Sequence, residues 1–413
     1  RLGYLHDCMP AVEIATDWLK PDGWLGKTNC NFSTLGLNVF KNIAPLVPEA
    51  ALAMLERAST DTGEGVFNAK ADVHRHEFVR LLRHLAYESE LFQRSVRLLI
   101  RCALLERPDT NDGDAARAIL KTFFHILLSG THASLQIRAD IADEMANSDR
   151  QNEAELGIIL LESALQTHHF LAFYISSFGA RPRDLGYRPS SNQEVIAWYK
   201  RFGEICTHVA LSNKPTAPQA KRVFANSLRG LWMKLSDINQ DSLKILEDSI
   251  AQIHEKRSWN EGWVSVKGIL RYDGKSMQQD ILLRLKQIEK LLRPKDLVEQ
   301  ARTFALSARG LNFDLEDDYD EDDTPSTQRT RVHRITQEIG SKVAQDDAVF
   351  QELLPELVSV ASDSYRLGIF GEGLADGCKD RQRIWRMLYM QLEKTPPDRR
   401  QFAVLLGFLS SSA

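Results

Sequence analysis

Cysteine is scarce and scattered. The 413 residues hold five, Cys8, Cys30, Cys102, Cys206 and Cys378, an odd number with no C-x-x-C pair among them. That spacing excludes a zinc ribbon and gives no disulfide framework. Reduced thiols in a cytosolic protein are the expectation. A basic excess is missing too. Fifty-two Lys and Arg stand against 56 Asp and Glu, a formal net charge of -4. The chain therefore has no global positive field to hold a phosphate backbone, and a nucleic-acid role is left only a local basic groove. No apolar run is long enough to cross a bilayer, and no signal peptide is found. No tight turn joins two alternating apolar runs, so no significant β-sheet is expected. The chain opens at Arg1-Leu2-Gly3 without Met and stops just after an apolar segment, Phe402 to Leu409. It reads as a fragment of a longer protein.

Helical periodicity is present instead, almost everywhere. From Leu91 to Ile100 apolar residues recur at three- and four-residue steps, and the stripe runs on through Cys102, Ala103 and Leu105. Ala115 to Leu128 is apolar on almost every face, which predicts a helix sandwiched between neighbours. Ile281, Leu282, Leu285, Ile288, Leu291 and Leu292 make a one-faced stripe. Pro48-Glu49-Ala50 opens a helix, with Pro in its first turn and an acid near the positive end of the dipole. Asn111 to Asp114, Ser190 to Glu194 and Thr395 to Asp398 read as turns followed by helix starts. Ser129-Gly130 and Phe178-Gly179 read as C-terminal stops.

Hydrophobic helices begin near Pro48, Glu88 and Ser134, roughly 40 residues apart, the spacing of HEAT and armadillo repeats. The fold class predicted is all-α, an α-solenoid of about ten stacked helical hairpins of the HEAT, armadillo or TPR kind. Two stretches break the rhythm. Ala180 to Asn192 is a long connection rich in Arg, Gly and Pro, and Asp314 to Thr324 is acidic. The organisation expected is an N-terminal part of the array over 1–190, middle repeats over 191–313, an acidic mobile loop over 314–327 and C-terminal repeats over 328–413. Like charges without an apolar face favour a solvated loop in the third of these.

Several motif-like strings fail on spacing. Gly23 to Thr28 imitates a P-loop, but Pro21 stands where the first Gly belongs and Ala11 to Lys20 reads as helix rather than strand. Gly371 to Gly377 imitates a dinucleotide loop without a leading strand, and small residues for close helix packing explain it better. His74, His76, Glu77 and His84 suggest a metal, yet Arg80 occupies the position a zinc-protease His would need. Histidines lying partly exposed beside Arg75, Arg80 and Arg83 are the simpler reading. In His168-His169 one ring is expected to pack and the other to face water, since adjacent positions do not share a helical face. The acidic run Asp314 to Asp323 fits no EF-hand, which needs Gly at its sixth position and Glu at its twelfth. A dock for a basic partner is its alternative to a plain solvated loop. No nucleophile elbow or deaminase signature is found. No catalytic, cofactor-binding or metal-binding residue is assigned, and no enzyme activity is expected of this fragment.

One basic-aromatic cluster stands out. Arg181, Arg183, Tyr187, Arg188 and Trp198 are the candidate partner-binding residues. Arg and aromatics are typical interface anchors, Arg also grips phosphates, and loops between rigid elements often carry function. The competing reading is that the arginines pair with Asp184 and Glu194 and close a helix end.

Some strings also resemble a known family. Leu127-Leu128-Ser129-Gly130-Thr131, after a very apolar segment, resembles the "LSGT" turn in the helical regions of large bacterial STAND-type ATPases. His168-His169-Phe170 and the run Gly179-Ala180-Arg181-Pro182-Arg183-Asp184-Leu185-Gly186-Tyr187 resemble the "HF…GARxRDYG" passage that follows it there. Gly373 to Gly377 and Gly407-Phe408-Leu409 resemble a later stretch of the same arrays. The strings come in the family's order and span the chain from about residue 80 to its end. Leu185 stands where an aromatic is commoner. The resemblance implies a C-terminal sensor of an Avs-like antiviral protein, preceded in the parent by an effector domain and a P-loop ATPase. It implies a phage protein as partner and carries over no catalytic residues. The other readings are a nucleic-acid-handling domain with a basic groove around Arg181 to Arg201, and an assembly scaffold.

Overall fold

The computed structural model describes residues 2–60, 75–106, 113, 115–170, 177–256, 259–306, 324–359, 366–396 and 400–410. Among them the chain is all-α, with 19 α-helices joined by turns and short 3-10 segments. The only β feature among the described residues is an isolated bridge between Phe178 and Arg181. No helix among them is long and apolar enough to cross a membrane. The acidic run Asp314 to Asp323, His74 and most of Asn111 to Asp114 lie outside the described residues.

The chain divides into two compact units, Arg1–Ile245 and Leu246–Ala413. The division falls in the first turn of a helix, where neither Gly nor Pro marks it.

The first unit holds α1 (Met9–Leu19), α2 (Thr34–Ile43), α3 (Pro48–Thr60), α4 (Arg75–Leu85), α5 (Ser89–Leu105), α6 (Ala116–Phe123), α7 (Leu135–Ala146), α8 (Gln151–Ala164), α9 (Asn192–Leu211) and α10 (Ala217–Ile238). Helix starts follow local chemistry. The side chains of Ser33, Ser134 and Ser191 accept from the backbone N–H groups of Gly36, Ile137 and Glu194, satisfying donors the first turn leaves free. The apolar stripe of α5 faces inward as read, with Leu91, Phe92, Val96, Leu99 and Cys102 buried.

Alternate helices touch within this unit: α1 with α3, α3 with α5, α7 with α9, and likewise α6 with α8 and α8 with α10. Arginines fasten the first row. Arg94 on α5 reaches Glu49 and Glu56 on α3 at 2.5 and 2.6 Å, and Arg97 reaches Glu144 on α7 at 2.9 Å. Arg201 on α9 reaches Asp143 on α7 at 3.4 Å. Half-exposed pairs of this kind contribute under about 1 kcal/mol each, so they set register more than stability.

Ala115 to Leu128 departs from expectation. Helix α6 ends at Phe123, and Phe124 to Leu128 continue as irregular, mostly buried chain with Leu128 at φ 56°. The carbonyls this frees at Phe123 and His125 are taken by the side chain of Arg138 at 3.1 and 3.0 Å. Ser129-Gly130 is thus no helix stop.

The second unit contains α11 (Lys244–Lys256, which begins at the division), α12 (Asn260–Asp273), α13 (Gln279–Leu292), α14 (Leu297–Phe304), α15 (Pro325–Gln345), α16 (Asp347–Ser359), α17 (Arg366–Gly377), α18 (Arg381–Lys394) and α19 (Val404–Ser410). Arg284–Glu247, Arg302–Glu356 and Arg383–Asp347 repeat the inter-helix pairing at 2.6, 2.6 and 2.5 Å. The glycine string read as close packing does pack closely. A methyl on Gly373 would overlap the Gln337 carbonyl on α15, and one on Gly377 would overlap that of Ser341. Thr395 caps the end of α18, and Pro397 and Asp398 of the turn read there lie outside the described residues.

Candidate functional site

The segment 177–191 has no helix of its own, so its backbone needs partners elsewhere. It finds them along the first unit. Phe178 to Arg181 forms a turn with Gly179 at φ +63°, and the Ala180 N–H donates to the Gly3 carbonyl at 3.3 Å. Only glycine fits at 179, since a methyl there would overlap the Gly3 backbone. The Arg181 Nε donates to the Pro45 carbonyl at 2.8 Å.

Arg183 goes deeper, its side chain only 7% exposed. Nη1 donates to the His84 carbonyl at 2.7 Å, and the guanidinium stands 4.1 Å from the Tyr87 ring centre and 4.7 Å from that of Phe178. Glu88 lies 3.8 Å away. Cation-π contacts of this kind help to hold a desolvated arginine. Burial still lowers its pKa to about 10.

Asp184 is the knot of a polar cluster. The Tyr87 hydroxyl donates to its Oδ1 at 3.0 Å, the His132 Nε2 lies 2.9 Å from the same oxygen, and the Gly186 N–H donates to it at 2.7 Å. Tyr87 also accepts from the Asp184 N–H at 3.2 Å and lies 3.0 Å from His132 Nε2. Partial burial pushes the carboxyl up, but the Gly186 amide, Tyr87 and His132 outweigh it and leave the pKa below its ordinary value.

Next the segment pairs, backbone to backbone, with the turn after Leu128. The Gly130 N–H donates to the Leu185 carbonyl at 3.0 Å, and the Tyr187 N–H donates to the Thr131 carbonyl at 2.7 Å. Gly186 between them has φ +85°, and a methyl there would overlap Thr131. The Thr131 hydroxyl donates to the Ala86 carbonyl at 2.6 Å. The two strings that carry the family resemblance therefore meet in one joint.

Below this joint lies Arg138, wholly buried. Its guanidinium stands 4.9 Å from the Tyr187 ring centre and 4.4 Å from that of Trp198, with the two rings stacked 6.3 Å apart. Nε and Nη2 find no acceptor. Burial lowers the pKa to about 9. The Tyr187 hydroxyl donates to Glu194 at 2.9 Å, and the Trp198 Nε1 donates to the Ala164 carbonyl at 2.8 Å.

The structure thus gathers Arg181, Arg183, Tyr187, Arg188 and Trp198 on one docked segment and the helix after it, with unequal access. Arg188 is exposed, Arg181 and Tyr187 are half-buried, and Trp198 is 0% exposed. Trp198 corrects the expectation of a surface anchor: its ring holds the segment from inside. Asp184 and Glu194 do not take the arginines, because Tyr87, His132, Tyr187 and Ser190 occupy them first. The surface left to a partner is Pro182, Leu185 and Arg188, with Leu185 36% exposed.

Sequence reading missed Tyr87, His132 and Arg138. Arg138 had a signal: it shares a helical face with Ile141, Ala142 and Met145, so a cation sits in a buried stripe. Tyr87 and His132 had none, since 97 and 52 residues separate them from Asp184. Of the other histidines, His76 is exposed, and His84 stacks on Phe178 at 5.2 Å. His168 and His169 are both exposed and touch each other, so neither ring packs into the core as expected. No cluster with the make-up of a metal site occurs among the described residues. No family model, curated protein or solved structure matches the chain.

Proposed function

We propose that this chain is an α-solenoid that recognises a protein: the target-sensing region of a bacterial antiphage STAND ATPase, working in the cytoplasm. Binding of a phage protein would trigger an ATPase and an effector that lie outside this chain. The observation that carries the reading is the joint of Gly130-Thr131 with Leu185-Gly186-Tyr187. The family's two strings lie 55 residues apart and come together here in hydrogen-bonded register, as a shared structural element would. Arginine-carboxylate pairs between alternate helices support the repeat architecture. Repeat arrays present extended binding surfaces of this kind.

A nucleic-acid groove around Arg181 to Arg201 draws less support. Arg181 and Arg183 are spent on backbone carbonyls, and Arg201 is paired with Asp143. The energies of sensing are adequate. An interface of about 1,600 Å² with nanomolar affinity provides about 12 kcal/mol. Moving a switch from 1:99 to 99:1 needs about 5.5 kcal/mol of differential affinity. The test is to recover the full-length protein from phage-infected cells. Enrichment of one phage protein, with ATP hydrolysis rising on its addition, supports the reading. Recovery without any enriched phage protein counts against it.

A further inference from the structure

A pocket of about 340 Å³ opens where the N-terminal turn, α2, α4 and the start of the docked segment meet. Its walls are of mixed character, with Pro45, Leu81 and Phe178 beside the polar groups. Tyr4, Lys41, Asn42, Arg80, His84 and Ser177 line it, and Glu77 is its only carboxylate among the described residues. Glu77 is already engaged: the Lys41 Nζ lies 2.5 Å from Oε2, and Arg80 lies 3.9 Å from Oε1. Hydrogen bonding to Lys41 holds the Glu77 carboxyl below its ordinary range.

Positive charge is concentrated behind the walls. The carbonyl of Pro45, a lining residue, is held by Arg181, and that of His84 is held by Arg183. His84 senses this: burial first, then Arg183 and Arg83, lower its pKa to about 4, so the imidazole is neutral at pH 7. Among the described residues, the balance near the pocket is Lys41, Arg80, Arg83, Arg181 and Arg183 against Glu77, Glu88 and Asp184. Opposite banks of the pocket thus offer ammonium, guanidinium, amide, imidazole and hydroxyl groups in a partly enclosed space at the small end of the usual ligand-site range, about 300 to 1,000 Å³.

We infer that this pocket binds a small phosphorylated molecule, with Lys41 and Arg80 gripping the phosphate and His84, Asn42 and Ser177 completing its hydrogen bonds. The volume suits a small ligand rather than a nucleic-acid strand. The bound phosphate takes Lys41 from Glu77 and bridges α4 to residues 177–179. It therefore fastens the docked segment further to the N-terminal turn. This site is independent of the sensor reading and survives if that reading fails.

The test is calorimetric titration of the protein with pyrophosphate at constant ionic strength, with chloride as the control anion. One-to-one saturable binding is expected. Arg80→Gln should weaken it about tenfold, the loss of one charge-assisted contact, and Lys41→Met should do the same. Glu77→Gln should strengthen it several-fold, because the competing carboxylate is gone. That opposite sign separates a phosphate site from general damage, and Arg80 is exposed enough that its variant keeps the fold. Absence of saturable heat overturns the proposal. So does binding that none of the three substitutions changes, which marks non-specific anion association.

Discussion

The backbone N–H of Tyr187 donates to the carbonyl of Thr131 across 2.7 Å. This bond joins a segment without helix to the turn that follows a short helix, and Gly186 makes it geometrically available. With φ at +85° and Thr131 against its Cα, Gly186 tolerates no side chain. Gly186→Val should lower the opening free energy of the joint by about 2–3 kcal/mol. Hydrogen exchange at the Tyr187 amide reads this directly. An unchanged exchange rate would show that the joint does not hold the segment.

Tyr87 and Asp184 exchange two hydrogen bonds, hydroxyl to carboxylate and amide to hydroxyl, at 3.0 and 3.2 Å. The pair should therefore be coupled. A double-mutant cycle of Tyr87→Phe and Asp184→Asn, followed by denaturant unfolding, should return an interaction energy of about 1 kcal/mol. Additive effects would mean that the cluster is a surface coincidence.

Acid should loosen the first unit before carboxylate titration is complete. Burial lowers the pKa of both His84 and His125 from 6.5 to about 4. Between those values the unfolded chain binds more protons than the folded one. The stability tied to the neutral rings is therefore fully present above pH 6.5 and is lost as pH falls towards 4. Unfolding curves across that window should show this slope, and His84→Phe combined with His125→Phe should flatten it. An unchanged slope in the double variant would place the acid sensitivity elsewhere.

In the second unit, Gly373 and Gly407 offer a matched contrast. Gly373→Ala drives a methyl into the Gln337 carbonyl and should destabilise by about 1–3 kcal/mol. Gly407, within α19, has open space around it, so Gly407→Ala should be neutral or stabilise by up to about 1 kcal/mol. Equal effects in thermal unfolding would contradict the close α15–α17 packing.

What could be read beforehand follows the range of the forces involved. Helix starts at Pro48, Ser134 and Ser191 depend on caps, first-turn proline and stripes within a few residues, and they are where the chain suggests. The end of α6 was invisible because the group that takes up its freed carbonyls, Arg138, lies on another helix. Its start lies where the apolar run from Ala115 suggests, but its capping partner was hidden: the Glu106 carboxylate accepts from the Ala116 and Arg117 amides from ten and eleven residues upstream. At the site, Arg181, Arg183 and Tyr187 were visible by residue type. Their partners Pro45, His84 and Arg138 were not, since those contacts depend on how distant helices stack. Composition likewise gave Trp198 as an aromatic anchor but could not tell an inward from an outward ring.

The most direct measurement is hydrogen exchange by mass spectrometry on the full-length protein, alone and with a phage protein recovered from infected cells. In the free protein, the amides of Gly186 and Tyr187 should exchange slowly although no helix protects them. On capture, protection should extend to the amides of Leu185 and Arg188, which with Pro182 form the part of the segment that faces outward. Rapid exchange at Gly186 and Tyr187 in the free protein would contradict the docked segment, and a captured protein that leaves Leu185 and Arg188 unprotected would contradict the role in recognition proposed for it.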